Sequence, residues 1–209
     1  MSKDIDLDTL VAIIAERGAK SRSITAVAGP PGAGKSTLAG LVVEKLNAAD
    51  PGSAAVVPMD GFHYDDLVLV PKGLRPRKGA PETFDVAGFS HMLGRLRSNA
   101  EREIAVPVFD RAIEIARAGA RMIPQSVRHL VVEGNYILLK NGDWADLQRH
   151  YDTTVLIHVP EAELRRRLEE RWKDLPPDAF AFKLDANDLP NGRLVMTESA
   201  EPEFIFRQG

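Results

Sequence analysis

Cysteine is absent from all 209 residues, which excludes disulfides, thiolate zinc sites and cysteine nucleophiles and leaves the redox compartment open. No apolar run approaches the roughly 20 residues that a membrane helix needs. The start, residues 1–8, is acidic and lacks the basic end and apolar stretch of an export signal. A cytoplasmic protein with no membrane partner is therefore expected. Positive charge is not in excess either: 27 basic against 30 acidic residues give a net charge of −3, so no nucleic-acid partner is expected. Basic residues do gather at 72–78 and 165–171, clusters sized for phosphates rather than for a duplex. The five histidines show no metal-ligand spacing, which leaves His91, His129, His150 and His158 as structural residues. Internal repeats and low-complexity segments are also missing.

What is present is an alternation of strand and helix signals in a chain long enough for one sizeable domain, residues 1–209. Leu7, Leu10, Val11 and Ile14 recur at helical spacing, with Asp4 or Asp6 as cap and Gly18 at the end. An apolar run at 24–28 predicts a strand, residues 29–35 a loop and 36–47 a helix. Further strands are expected at 54–59, 129–132 and 154–159, a hairpin or short strands at 104–109 and 114–123, and helices at 86–97, 144–150 and 161–172. This order predicts an α/β fold with a mostly parallel sheet covered on both sides and ligands at the carboxyl ends of the strands. Residues 71–81, and 174–191 with its prolines and acids, are expected to be mobile loops or lid segments, and the lid itself is placed at about 161–190.

Residues 29–36 match G-x-x-x-x-G-K-[ST] in full: Gly29, Pro30, Pro31, Gly32, Ala33, Gly34, Lys35 and Ser36. A strand precedes the match and a helix follows it, the context the motif needs. Glycines let backbone N–H groups turn inward around phosphate oxygens where side chains would block the approach. Lys35 is then the cation for the β- and γ-phosphates of ATP, and Ser36 a hydroxyl ligand for Mg²⁺. Thr37 follows as a helix or nucleotide contact.

Two acids stand at other strand ends. Asp60 closes the strand at 54–59 and could accept the proton of an attacking hydroxyl, although Asp-Gly is also an ordinary turn dipeptide. Glu133 closes the strand at 129–132, where an acid can hold Mg²⁺ through water. His63 and Tyr64, just beyond Asp60, are candidate substrate contacts. Arg167 and Arg171 share a helix face at i,i+4 and could close over the transferring phosphoryl group. The plainer reading of that helix is a solvated face whose arginines pair with Glu163, Glu169 and Glu170. Trp144 and Trp172 are expected to be packing residues.

In the order of these motifs the chain resembles the phosphoribulokinase and uridine kinase family, which includes bacterial-type pantothenate kinases. The likeness runs from residue 29 to about 191. Residues 58–64, Pro-Met-Asp-Gly-Phe-His-Tyr, look like the family's Asp-x-Phe-Tyr segment, whose aspartate is the base. Residues 77–85 look like a segment ending in a substrate-binding aspartate, residues 106–111 like the Pro-x-Tyr strand, and residues 132–135 like the Glu-Gly motif. The arginine-rich helix resembles the family's lid. The resemblance implies a P-loop NTPase three-layer α/β/α fold with a small helical lid. It also implies that Asp85, Phe109 and Arg111 face the acceptor, and that Asn191 lies near the adenine. Asp85 is equally a helix cap, and Phe109 stands where uridine kinases have tyrosine. The details are most similar to short bacterial members labelled uridine kinase-like or fructose transport system kinase.

The expected activity is ATP-dependent phosphorylation of a small hydroxylated substrate: a sugar, a nucleoside or a pantothenate-like alcohol. A regulatory nucleotide switch and a nucleotide-phosphorylating kinase remain open, though the Asn-Lys-x-Asp guanine motif is missing. A homodimer is left open.

Overall fold

The computed structural model describes residues 2–208. A two-residue strand, β1 (Lys3–Asp4), leads into helix α1 (Leu7–Arg17). Asp6 caps α1, its Oδ1 accepting from the Thr9 N–H at 2.8 Å, and Gly18 follows the last turn. Strand β2 (Ser23–Ala28) runs into the glycine-rich loop, helix α2 (Lys35–Ala49) leaves it, and β3 (Ala54–Pro58) returns to the sheet. A single helical turn, α3 (Asp66–Leu69), lies among short 3₁₀ turns ahead of α4 (Val86–Ser98). Strands β4 (Glu103–Asp110) and β5 (Ile115–Pro124) form a separate antiparallel hairpin. Strand β6 (His129–Gly134), a 3₁₀ stretch at Gly142–His150, β7 (Thr153–His158) and α5 (Glu161–Trp172) follow. The chain closes with α6 (Pro177–Ala181), a π-helical stretch at Phe182–Asp188, α7 (Leu189–Glu198) and β8 (Phe204–Arg207).

The central sheet has the order β1-β8-β7-β2-β6-β3, and every pairing in it is parallel. Alternation along the strands sorts side chains into two cores. Ile24, Ala26 and Ala28 of β2 and Leu130 and Val132 of β6 enter one core, with Phe89 and Leu93 of α4. Val27, Val131, Val155 and Ile157 enter the other, with Leu10 and Ile14 of α1 and Leu38 and Val42 of α2. Each of the larger of these side chains contributes roughly 1.5–3 kcal/mol on burial, and because both faces of the strands are buried a one-residue slip in register would exchange the two sets and misfit both cores. A third, small cluster of Leu168, Leu184 and Leu189, with Trp172 and Phe180 against it, belongs to the lid region.

Residues 174–191 differ from the expectation of loops. Pro177 lies in the first turn of α6, where a helix donor has no intrahelical partner to lose, and Pro190 comes just after the π-helical stretch Phe182–Asp188, the local widening through which the helical backbone continues past a proline. The helical region therefore runs past 190 to Glu198. Residues 71–81 are turns pinned by Lys78, which is buried. The edge strand β8 carries no strong sequence signal, being four residues long, yet it delivers Gln208 to the nucleotide loop.

Candidate active site

Register sets the site. Pro58 of β3 lies opposite Glu133 of β6, and Glu133 lies opposite Val27 of β2, so these strands end level. The chain then turns at Met59–Phe62, placing Asp60 at the same edge as the loop that leaves β2. A cavity of about 420 Å³ opens there. Its nucleotide end is lined by Pro31, Gly32, Gly34, Lys35, Ser36 and Thr37, and Asp60, Glu133 and Asn135 stand beyond them. His63, Phe109 and Arg111 line the far end, and Arg171 lies on the lid side.

Within the loop, Gly32 and Gly34 hold φ of +79° and +83°, a region that side chains rarely adopt. A Cβ on Gly32 would also come within 3.3 Å of Leu168 Cδ2, so lid helix and loop touch at a residue that must be glycine. Lys35 Nζ donates to the carbonyl of Pro30 at 3.0 Å, which folds the lysine back over the loop. Burial pushes its ammonium below the ordinary lysine value, against the pull of the Glu133 and Asp60 carboxylates. Ser36 Oγ donates to Glu133 Oε1 at 3.1 Å. Burial raises the Glu133 carboxyl above the usual range, and Lys35 opposes that rise. A hydroxyl and a buried carboxylate side by side suit Mg²⁺, which takes one or two protein ligands and fills its shell with phosphate and water oxygens. In keeping with so sparse a donor set, no group of three or more His, Asp or Glu fit to hold a metal occurs among the described residues.

Asp60 is engaged: Arg111 Nη2, from the turn after β4, donates to its Oδ2 at 2.5 Å. His63 Nδ1–H donates to the backbone carbonyl of Asp60 at 2.8 Å, leaving Nε2 as an acceptor in the neutral ring. Burial pushes the His63 imidazole below its usual value, which keeps it neutral. Its ring stacks between Phe84 and Phe109, with centroids 4.0 and 4.5 Å away.

Seven of the expected site residues do not line the cavity: Gly29, Pro30, Ala33, Tyr64, Asp85, Arg167 and Asn191. Asp85 caps α4, its Oδ1 accepting from the Gly88 N–H at 2.9 Å, and does not line the cavity. Tyr64 faces Lys72, whose Nζ lies 5.6 Å from its ring centroid, also outside. Asn191 is buried in α7 and donates to Asn187 Oδ1 at 3.2 Å. Arg167 and Arg171 part company despite their i,i+4 spacing. Arg171 lines the cavity with its guanidinium 4.8 Å from the Trp172 ring centroid. Arg167 is held by Glu163 at 2.7 Å and by Gln208 Oε1 at 3.0 Å, the latter side chain lying against Gly34. Gly29 and Pro30 are buried beneath the loop rather than exposed to the cavity.

Several lining residues escaped the sequence reading. Trp172, expected to be packing, lines the cavity and donates from Nε1 to Asp188 Oδ2 at 2.9 Å. Lys183 stands 5.6 Å from the same ring centroid. Lys78 and Asn135 line it too. Lys78 lay within the basic cluster at 72–78, which was the available signal; Trp172, Lys183 and Gln208 carried none.

A parallel sheet ending in a glycine-rich phosphate loop, with an acid at each neighbouring strand end, defines a P-loop phosphotransferase. No family model matches the chain. A solved structure described as a putative fructose transport system kinase from Silicibacter sp. TM1040 is 39% identical, with a TM-score of 0.88 over 97% of this chain and 99% of its own. The uncharacterized protein YggC of Escherichia coli (strain K12) is 36% identical over 191 residues, 88% of this chain and 77% of that protein. The putative uridine kinase C227.14 of Schizosaccharomyces pombe is 29% identical over 90% of this chain and 84% of its own length. The chain belongs to the phosphoribulokinase and uridine kinase family of P-loop kinases. It is an ATP-using kinase that phosphorylates an alcohol group of a small metabolite. No helix among the described residues is long and apolar enough to cross a membrane.

Proposed function

We propose that Asp60 is the base that takes the proton of the acceptor hydroxyl, and that Lys35 and Arg171 meet the charge of the phosphoryl group in flight. The acceptor oxygen bonds to the γ-phosphorus as the bond to the β,γ-bridging oxygen breaks, the proton passes to Asp60, and ADP leaves. Ser36 and Glu133 are the residues that would hold Mg²⁺, which when bound would supply charge neutralisation for the phosphates. Arg167 is a positioning residue, tying the lid helix through Gln208 to the phosphate loop. The segment at about 161–190 is the lid, whose Leu168, Leu184 and Leu189 form a small apolar cluster of their own.

The observation that carries this reading is that Asp60, Lys35, Ser36 and Glu133 face one cavity although they come from three separate strand ends. Acceptors of the kinds named for relatives, a sugar or a nucleoside, and a pantothenate-like alcohol, are the starting candidates. The test is ATP consumption with and without such acceptors. Consumption is expected to rise at least tenfold with a hydroxylated acceptor; unstimulated hydrolysis that no alcohol accelerates would favour a nucleotide switch instead.

A further inference from the structure

The far end of the cavity holds positive charge that phosphoryl transfer does not use. Lys78 is 4% exposed, and its Nζ donates to Asp66 Oδ1 at 2.7 Å and to the Glu114 carbonyl at 2.6 Å. Asp66 is not its partner alone: Oδ2 accepts from Arg75 Nε at 2.7 Å. One carboxylate between two cations leaves a net charge of +1 on the trio. Hydrogen bonds from Lys78 and then Arg75 hold the Asp66 carboxyl below the usual range, so the trio keeps that charge at lower pH. An ammonium has three N–H donors, and two of those of Lys78 go to these partners. Burying such a group is costly unless an anion repays it, and Asp66 repays it only in part. The same Nζ lies 5.7 Å from the ring centroid of Phe109, on the cavity wall.

Arg111 is the second cation at this end, and it rests on the base itself. Its side chain is 61% exposed while Asp60 is 24% exposed, so the arginine has solvent into which to move and the aspartate less. The remaining polar lining is Asn135, His63, the exposed Glu114 and, beside Gly79, Asn187 followed by Asp188, whose carboxylate already accepts from Trp172 and Asn187; no Ser, Thr, Tyr or Gln lines this end. A neutral polyol would find few hydroxyl and amide partners here. An anion would find Lys78, and would draw Arg111 away from Asp60 Oδ2, freeing the base at the moment an acceptor is seated.

We infer that the acceptor is a hydroxy compound bearing a carboxylate or a phosphate, gripped through that anion by Lys78 and Arg111 while its hydroxyl faces Asp60. This rests on the kinase reading above. The experiment compares turnover and binding for small hydroxycarboxylates, sugar phosphates and their neutral counterparts, the amides and the free sugars. Binding is measured by calorimetry in the presence of a non-hydrolysable ATP analogue, with glycerate, glycerol 3-phosphate and glycerol as probes. The anionic members are expected to exceed their neutral counterparts in kcat/KM roughly 100-fold, the carboxylate and phosphate arms identifying which anion is used. Lys78→Met should remove most of that preference. Arg111→Met, at an exposed position that leaves the fold intact, should raise the KM for the anionic acceptor and narrow the same ratio. A neutral acceptor used as well as its anionic counterpart overturns the inference and leaves the kinase standing. Anion binding that Lys78→Met abolishes, without turnover of any acceptor, upholds the site and removes the kinase reading; neither binding nor turnover removes both.

Discussion

At the nucleotide end of the cavity each group hangs from the parallel sheet: Lys35 and Ser36 from the loop after β2, Glu133 from the end of β6. At the acceptor end the groups come from turns and from the hairpin of β4 and β5, held by side chains rather than by strand pairing. Lys78 reaches Asp66 and the Glu114 carbonyl, and Arg111 reaches Asp60. One end is fixed by register, the other by ion pairs between segments distant in sequence. The difference teaches where change is tolerated: phosphate handling is bound to the core, whereas acceptor choice is bound to contacts that a few substitutions can rewire.

The largest way to break that contrast is Asp60→Asn, which sits where the two ends meet. Turnover is expected to fall about 10³-fold, within the range that general bases supply. ATP affinity should stay within about twofold of wild type, because the loop is untouched; near-normal turnover would remove Asp60 as the base. Next comes Arg22→Ala. The buried guanidinium of Arg22 donates to the carbonyls of Val127, Leu96 and Pro124, fastening the hairpin end and α4 to the strand that carries the phosphate loop. Its removal leaves buried acceptors unpaired and should cost about 3 kcal/mol in urea unfolding. If the two ends are held independently, the folded variant should keep its KM for ATP while its acceptor KM rises.

A smaller effect separates the two lid arginines. Arg171→Ala should lower kcat roughly 100-fold, as loss of one charge-stabilising donor does. Arg167→Ala should act mainly on the KM for ATP, about fivefold, by releasing Gln208; equal effects in kcat would place both on the phosphoryl group. The smallest expected effect is a pH dependence in the lid helix. Hydrogen bonds from Arg166 and then Arg167 pull the Glu163 carboxyl down to about 2. The folded value lies below the unfolded one, so this contribution is present above the ordinary carboxylate range and is lost as pH falls toward 2. The pair is exposed, and the loss should appear as weaker amide protection in α5, measured against the intrinsic exchange rate at each pH, below about pH 4. In Glu163→Gln that weaker protection should already be present at neutral pH.

Much of the nucleotide end was legible because its chemistry is local. Eight consecutive residues carry the loop, and the strand before it and helix after it announce themselves by apolar spacing. Asp60 and Glu133 were legible as strand ends. Tyr64 and Asp85 lie outside the cavity although their neighbours His63 and Phe84 line it: Tyr64 faces Lys72, and Asp85 is taken up as the cap of α4. Arg167 stands apart from Arg171 for a different reason. Helical spacing puts it on one face with Arg171, but only the arrival of β8 beside the loop gives it Gln208 as a partner.

By itself the sequence determined that this protein folds around a phosphate loop between a buried strand and a helix, because glycine conformation and apolar periodicity act over a few residues. The tertiary structure alone decided which cations face the acceptor. Lys78, Arg75 and Asp66 form one charged trio only because two turns fold back on the hairpin, and burial and charge sharing depend on that approach.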